Sequence, residues 1–309
     1  MTQHPAFLTR PNYRQPRTLA QLRTLARQQR MAGYYNIATL WLFRACWQQS
    51  GKLTDYINYL AFRRDLGYPL SAKQHQRLVN WPHGLIARCL WPLLNRHANR
   101  IKSRLLRYTN PEQRQLAEQF QHYLAQHASI QIVGNSATLQ NQQQGQNIDQ
   151  APLVLRFNRC FSEHTDVKDT GQKTDIWVCA PDFKHQATSA NWCILAGPDM
   201  LGWLSTAPKV IADQPRVLSI PLTPWRLLVR TLAAPPSAGL LVLEWLSAIA
   251  PGCKRYVIGF SYPKNTEQYH LADPHHNAVT RHNWLEEMQL LAHWQRLNTI
   301  TAGTKEKAN

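Results

Sequence analysis

A change of pattern near residue 128 limits the folds open to this chain. Beyond it, short runs rich in β-branched and aromatic residues recur at 130–133, 153–157, 175–179, 192–195, 210–211 and 256–260. Helical stretches fall between and after them, over about 224–234, 239–250 and 283–296. Strands alternating with helices predict a sheet covered by helices on both faces. The runs at 130–133 and 153–157 are apolar at both parities, as strands buried on both faces are, so a mostly parallel sheet is expected. The fold class that follows is α/β and Rossmann-like.

Residues 1–128 read differently. Leu19, Leu22, Leu25 and Ala26 recur at helical spacing, as do Ile37, Leu40, Trp41 and Ala45. Breaks come at Gly51, at Gly67-Tyr68-Pro69, at Trp81-Pro82 and at Asn110-Pro111, where Pro111 suits the first turn of a helix over 113–126. Residues 1–17 and the tail beyond Ala302 are expected to be loose. The charge divides at the same place. Of the 35 Lys and Arg and 18 Asp and Glu, residues 1–128 hold 19 and 4, and residues 129–309 hold 16 and 14. A basic, mainly helical region 1–128 is therefore expected to precede a nearly neutral α/β region 129–302. Such charge attracts an anionic membrane, an acidic glycan or nucleic acid. Trp41, Arg44, Trp47, Arg63, Trp81, Arg88 and Trp91 interleave in a way that suits a membrane interface or an ordinary helical layer.

No apolar run reaches the 18 or so residues a membrane span needs, and the N-terminus lacks the apolar core of a signal peptide. A cytoplasmic protein, peripheral on the inner face of a membrane through residues 1–128, is the expectation. The six cysteines form no Cys-x-x-Cys pair and no zinc-like spacing. Cys179 and Cys193 read as small core residues.

Chemistry concentrates in two places. Gly134-Asn135-Ser136 follows the first strand and Asn158 ends the next, which brings two amides to one edge of a sheet, where α/β proteins hold nucleotides. A Gly-Asn turn is the plainer alternative. Gly134 is expected to clear space for a ligand, with the amides donating to a phosphate or a ribose. Arg156 reads as structural, paired with Asp175 or Asp149. Asp149, Asp169 and Lys173 read as scaffold of the surrounding loops, and 140–150, rich in Gln and Asn, as a flexible loop. Further on, Ser237-Ala238-Gly239 opens a helix with Ser237 as N-cap, and its free N–H groups suit an anion. His282 at the start of the last helix is expected to be kept neutral by the helix dipole and to act as a base. Glu287 lies five residues on, about 140° around the helix, and is expected to pack behind it. His270, His275, His276 and His293 are rivals. No Asp-x-Asp suited to a metal-bound nucleotide sugar is present in the α/β region, and no metal site is expected.

In order along the chain, these residues resemble the sialylmotifs of the sialyltransferases of glycosyltransferase family 29. Val133-Gly134-Asn135-Ser136, Ile148-Asp149, Arg156-Phe157-Asn158 and Asp169-x-Gly171-x-Lys173-Thr174 resemble motif L. Pro236-Ser237-Ala238-Gly239-Leu240 with Tyr256 to Phe260 resembles motif S, Ala238 standing where a hydroxyl is usual. His270-x-x-Asp273 is similar to motif III, with Leu271 and Ala272 in place of its aromatics, and His282-x4-Glu287 to the very small motif. The likeness covers roughly 128–298. It implies a GT-A-like variant of the Rossmann-like fold and an inverting transferase. The donor would be a CMP-activated acidic sugar, with CMP contacted by Gly134, Asn135, Ser136, Asn158, Ser237, Ala238 and Gly239. His282 would be the base, and His270 would face the departing phosphate. No cofactor is implied beyond the CMP-sugar co-substrate. Animal relatives join motif L to motif S by a disulfide; Ile130 stands at the motif L position, which suits a reducing compartment and a bacterial-type member. CMP-sialic acid is the expected donor and CMP-Kdo the alternative, with a lipopolysaccharide or capsule glycan as acceptor. Two other readings stay open: a nucleic-acid-binding protein acting through residues 1–128, which the lack of any nucleic-acid recognition signature counts against, and a transferase fold retained only for binding.

Overall fold

The computed structural model describes residues 17–68, 71–79, 111–180, 183, 189–197, 214–261, 270–272 and 281–302. The expected strand at 210–211, the loose residues before 17, the tail beyond 302, and Trp81, Arg88, Trp91, Cys89, Asp273, His275 and His276 lie outside the described residues.

Four helices come first: α1 (Leu19–Met31), α2 (Ile37–Ser50), α3 (Leu53–Asp65) and α4 (Ala72–Val79). Thr18 caps α1 in a capping box with Gln21, and Asn36 caps α2 by accepting the Thr39 N–H. Gly51 ends α2 in the left-handed conformation a C-cap requires. Helix α5 (Pro111–Ala125) leads into the sheet.

The sheet has seven parallel strands: β1 (Ser129–Val133), β2 (Val154–Phe157), β3 (Ile176–Cys179), β4 (Trp192–Leu195), β5 (Val217–Ser219), β6 (Lys254–Ile258) and β7 (Thr301–Ala302). Their order is β5-β4-β3-β2-β1-β6-β7. The chain therefore walks outward from β1 to β5, then returns through α8 (Leu222–Leu232) and α9 (Ala238–Ile249) to place β6 on the other side of β1. This is the mostly parallel, helix-flanked, Rossmann-like α/β architecture, and its topological switch point lies between β1 and β6. Ligands of such sheets bind outside the carboxyl ends of the strands at that point. After β6, helix α10 (Trp284–Arg296) leads to β7.

One large hydrophobic core cluster spans the described N-terminal helices and the sheet region. It joins Leu42, Phe43 and Phe62 of the N-terminal helices to Phe120, Ile132, Leu155, Trp225 and Leu291. Phe120 stacks on Trp245 at 5.3 Å and meets Trp192 edge-on at 5.0 Å. The Trp225 indole donates to the Asp65 carbonyl, tying α8 to the end of α3. Cys179 and Cys193 are buried, their sulfurs 3.7 Å apart.

Two expectations are corrected. Arg156, buried in β2, pairs with neither Asp149 nor Asp175 through a hydrogen bond. Its guanidinium donates to the carbonyls of Lys173 (2.9 Å) and Thr170 (2.5 Å). Within 140–150 the chain is ordered: Gly145–Asp149 forms a short helix, α6, with Ile148 in the core. The Asp169 carboxylate, at the short helix α7 (Val167–Thr170), accepts the N–H groups of Asn141 (2.7 Å) and Gln143 (2.8 Å) and so pins the approach to α6.

Candidate active site

The loops following β1, β2 and β6 and the starts of α9 and α10 enclose a cleft of about 280 Å³. Every residue expected to touch a donor or do chemistry lines it: Gly134, Asn135, Ser136, Asn158, Ser237, Ala238, Gly239, His270 and His282. Asp149, Asp169 and Glu287 stand outside the lining.

Asn135 follows β1. Its Nδ2 donates to the Phe157 carbonyl (2.9 Å) and the Arg159 carbonyl (3.3 Å), stitching the end of β1 to that of β2. Both partners are carbonyls, so the amide nitrogen is committed and Oδ1 is the atom left for a ligand. Asn135 is thus an acceptor, not the donor expected. Asn158, in the left-handed conformation (φ 45°), has the opposite arrangement. Its Oδ1 accepts the Ala180 N–H at 3.0 Å, which leaves Nδ2 to donate. One amide accepting beside one donating suits a group with both polarities, such as a ribose hydroxyl or a cytosine edge.

Ser136 is largely occupied. Its Oγ accepts the Thr138 N–H (3.1 Å), capping the 3₁₀ turn Ala137–Leu139, and pairs with the Ser261 hydroxyl. Gly134 is needed for a different reason from the one expected. A Cβ there would strike the Gly259 carbonyl and come 2.8 Å from the Phe260 ring, so the glycine lets the β1 and β6 loops touch rather than admitting a ligand. Gly134→Ala should cost about 1–3 kcal/mol, the usual range for overpacking, and a urea titration of the two proteins would measure it.

His270 pairs with Ser136 in an isolated antiparallel bridge, and the Leu271 N–H donates to the Asn135 carbonyl at 2.8 Å. Where motif III carries aromatics, Leu271 is buried with Val133, Leu139 and Ile148. The bridge carries His270 onto the cleft wall beside the β1 loop.

At the start of α9, Ser237 Oγ accepts the Leu240 N–H at 3.3 Å. The Ser237 N–H is itself taken, donating to Glu287 Oε1 at 2.7 Å. The N–H groups of Ala238 and Gly239 remain at the positive end of the helix, facing no acceptor among the described residues. Glu287 is fully buried, and that burial raises its carboxyl to about 7.

His282 precedes the Asn283 N-cap of α10. Its Nδ1 lies 2.7 Å from the Pro235 carbonyl. A carbonyl can only accept, so Nδ1 carries the proton and Nε2 holds the lone pair. The ring is lowered to about 4, chiefly by burial, with the nearby Arg281 charge adding to the effect. Burial, rather than the helix dipole, keeps it neutral. Glu287 Oε1 is 4.0 Å from Nδ1 and does not share its proton.

Asp149 accepts the N–H groups of Gln172 and Lys173 at 2.9 Å each, across the Gly171 turn. Lys173 donates to the Ala151 carbonyl at 2.6 Å. These contacts hold the loops behind β2 and do not reach the cleft. Tyr35, Trp225, Arg281 and Trp284 also line the cleft without being marked by the sequence. Arg281 is recognisable as the neighbour of His282. Tyr35 is not, because it lies beside the α1–α2 turn that the fold packs against Arg281. Among the described residues, no group of three or more His, Cys, Asp or Glu is placed to hold a metal ion. Nor is any helix among them long and apolar enough to cross a membrane.

No curated protein matches the sequence. A mammalian sialyltransferase crystallised with Gal-beta-1-3GalNAc-ortho-nitrophenol is similar to it, with 19% identity and a TM-score of 0.46 over 73% of this chain and 88% of that one. A second mammalian sialyltransferase structure shares 19% identity at a TM-score of 0.45, over 57% of this chain and 68% of the other. The sequence pattern of glycosyltransferase family 29 (sialyltransferase) matches residues 73–197, a stretch that takes in the whole β1–β4 half of the sheet.

Proposed function

We propose that this protein is an inverting glycosyltransferase that moves sialic acid from CMP-sialic acid to a hydroxyl of a lipopolysaccharide or capsule-type glycan. The observation that carries it is the meeting, in one cleft at the switch point of a parallel sheet, of paired amides, a helix start with free N–H groups and two histidines. The match to the family 29 pattern over residues 73–197 supports the same reading.

In this reaction the acceptor oxygen attacks the anomeric carbon as the bond from that carbon to the phosphate oxygen breaks. The acceptor proton passes to His282 Nε2, the ring atom left free by the Nδ1–H bond to Pro235. CMP departs with the electron pair. His270 and the N–H groups of Ala238 and Gly239 receive its phosphate, while Asn135 Oδ1 and Asn158 Nδ2 hold the nucleoside. CMP carries one phosphate, so these donors can meet its charge without a metal. Full activity in excess EDTA is expected, and loss of activity reversed by a divalent cation would refute that point.

Once protonated, the imidazolium gains from an ionised Glu287 at 4.0 Å. Transfer should therefore rise with pH in two steps, near 4 as His282 sheds its proton and near 7 as Glu287 ionises. Glu287→Gln keeps an acceptor for the Ser237 N–H but should erase the upper step in kcat/KM.

Residues 1–128 are proposed to rest on the cytoplasmic face of an anionic membrane. Trp41, 56% exposed with the Arg44 guanidinium 4.9 Å from its ring centre, presents the mixed aromatic and cationic character of an interfacial anchor. The direct test of function is release of CMP from CMP-sialic acid, with and without a galactose-terminated acceptor, beside CMP-Kdo as competing donor. No release from either donor, and no thermal stabilisation by CMP, would end the transferase reading.

A further inference from the structure

Among the described residues that line the cleft, Arg281 is the single Lys or Arg, and none is Asp or Glu. The residue sits immediately before His282. Its backbone is fixed against the α1–α2 turn, since a Cβ on Gly33 would lie 2.8 Å from the Arg281 carbonyl. Two residues past Gly33, Tyr35 reaches the same cleft wall with only 5% of its surface exposed. Arg30, paired with the buried Asp65 at 2.9 Å, hydrogen-bonds the phenol. The charge of Arg281 is felt at both the Tyr35 phenol and the His282 ring. A cation and a phenol hydroxyl therefore line the same cleft as the base.

We propose that Arg281, helped by the Tyr35 hydroxyl, is the anchor for the donor sugar's carboxylate and so selects 2-keto acid sugars over neutral ones. This rests on the CMP-sugar reading. In such a sugar the carboxylate is bonded to the anomeric carbon itself. The oxygen that attacks that carbon gives its proton to His282 Nε2. A group that grips the carboxylate must then stand beside the base, and Arg281 is its neighbour. The planar guanidinium matches a carboxylate with two parallel hydrogen bonds. The nucleotide is served elsewhere, by Asn135, Asn158 and the start of α9, so the sugar's acid and the CMP are read by separate walls.

Calorimetric titration with CMP-sialic acid, its C1 methyl ester and CMP separates the possibilities. Arg281→Gln should weaken CMP-sialic acid by about 10- to 100-fold, the range for losing a charge-assisted hydrogen bond, while CMP affinity stays unchanged. The methyl ester should bind the native protein as weakly as the acid binds Arg281→Gln, and the variant should not distinguish the two. Tyr35→Phe should give a smaller loss with the same selectivity, and Arg281→Lys should recover part of it. Equal weakening of CMP and CMP-sialic acid would place Arg281 on the phosphate and overturn the assignment. So would unchanged binding of both, or a variant that still prefers the acid to the ester. If the native protein binds neither CMP nor CMP-sialic acid, the nucleotide-sugar reading itself fails, before any variant is needed.

Discussion

Alanine in place of His282 is expected to slow sugar transfer by about 10²- to 10⁴-fold, the usual worth of a positioned general base, with CMP affinity nearly unchanged. The separation follows from geometry. His282 is held by the Pro235 carbonyl with Nε2 as its basic atom, whereas the proposed nucleotide contacts lie at the ends of β1 and β2 and at the start of α9. A depressed basicity, near 4, also means that the native ring needs no deprotonation at neutral pH. Single-turnover transfer beside CMP titration would check both halves. Normal turnover in His282→Ala would remove the base from His282. A collapse of CMP binding would show instead that the residue shapes the nucleotide pocket.

The largest effect on stability is expected at Arg156. Its side chain is 1% exposed, and its guanidinium serves two carbonyls, Lys173 and Thr170, in the loop that precedes β3. The ring of Phe161 lies 5.0 Å from the same group. Burial lowers its pKa, the sign that the charge is held at a desolvation cost. Arg156→Ala would strand both acceptors and open a cavity, costing about 2–5 kcal/mol. Urea unfolding measures this, and a loss below about 1 kcal/mol would show that water replaces the guanidinium without penalty. Because Asn158 directly follows β2, the variant should also bind CMP more weakly even where it remains folded.

The sheet was legible where strands are apolar and long enough to carry a pattern. The run at 192–195 coincides with β4, and 130–133 falls one residue short of β1. β6 was read two residues late. Its first residues are Lys254 and Arg255, and Arg255 is buried only because the Thr299, Ala250 and Cys253 carbonyls accept its guanidinium. Polar residues at a strand start look like loop until their long-range partners are known. β5 and β7, with three and two residues, offer no period to read. The helix at Gly145–Asp149 was hidden by a composition of Gln and Asn, and its order comes from Asp169, more than twenty residues away in sequence.

The candidate site divides in the same way. Residue types after strand ends point to Asn135 and Asn158, and those at helix starts to Ser237 and His282; the fold brings all four to one cleft. Which atom each presents was not legible. Asn135 spends its donor on the neighbouring strand, and Ser237 spends its N–H on Glu287, choices set by packing between distant segments. Tyr35 enters the cleft through the packing of the α1–α2 turn against Arg281, which only the fold reveals.

The hydrophobic core crosses residue 128 without interruption, from Phe43 and Phe62 to Trp225 and Leu291. The described helices of the basic region are therefore bolted to the part that holds the cleft instead of trailing from it on a tether. Whatever surface captures those helices would also fix the compass bearing of the cleft mouth. Acceptors lying at one height and angle above the surface would be served, and those elsewhere passed over.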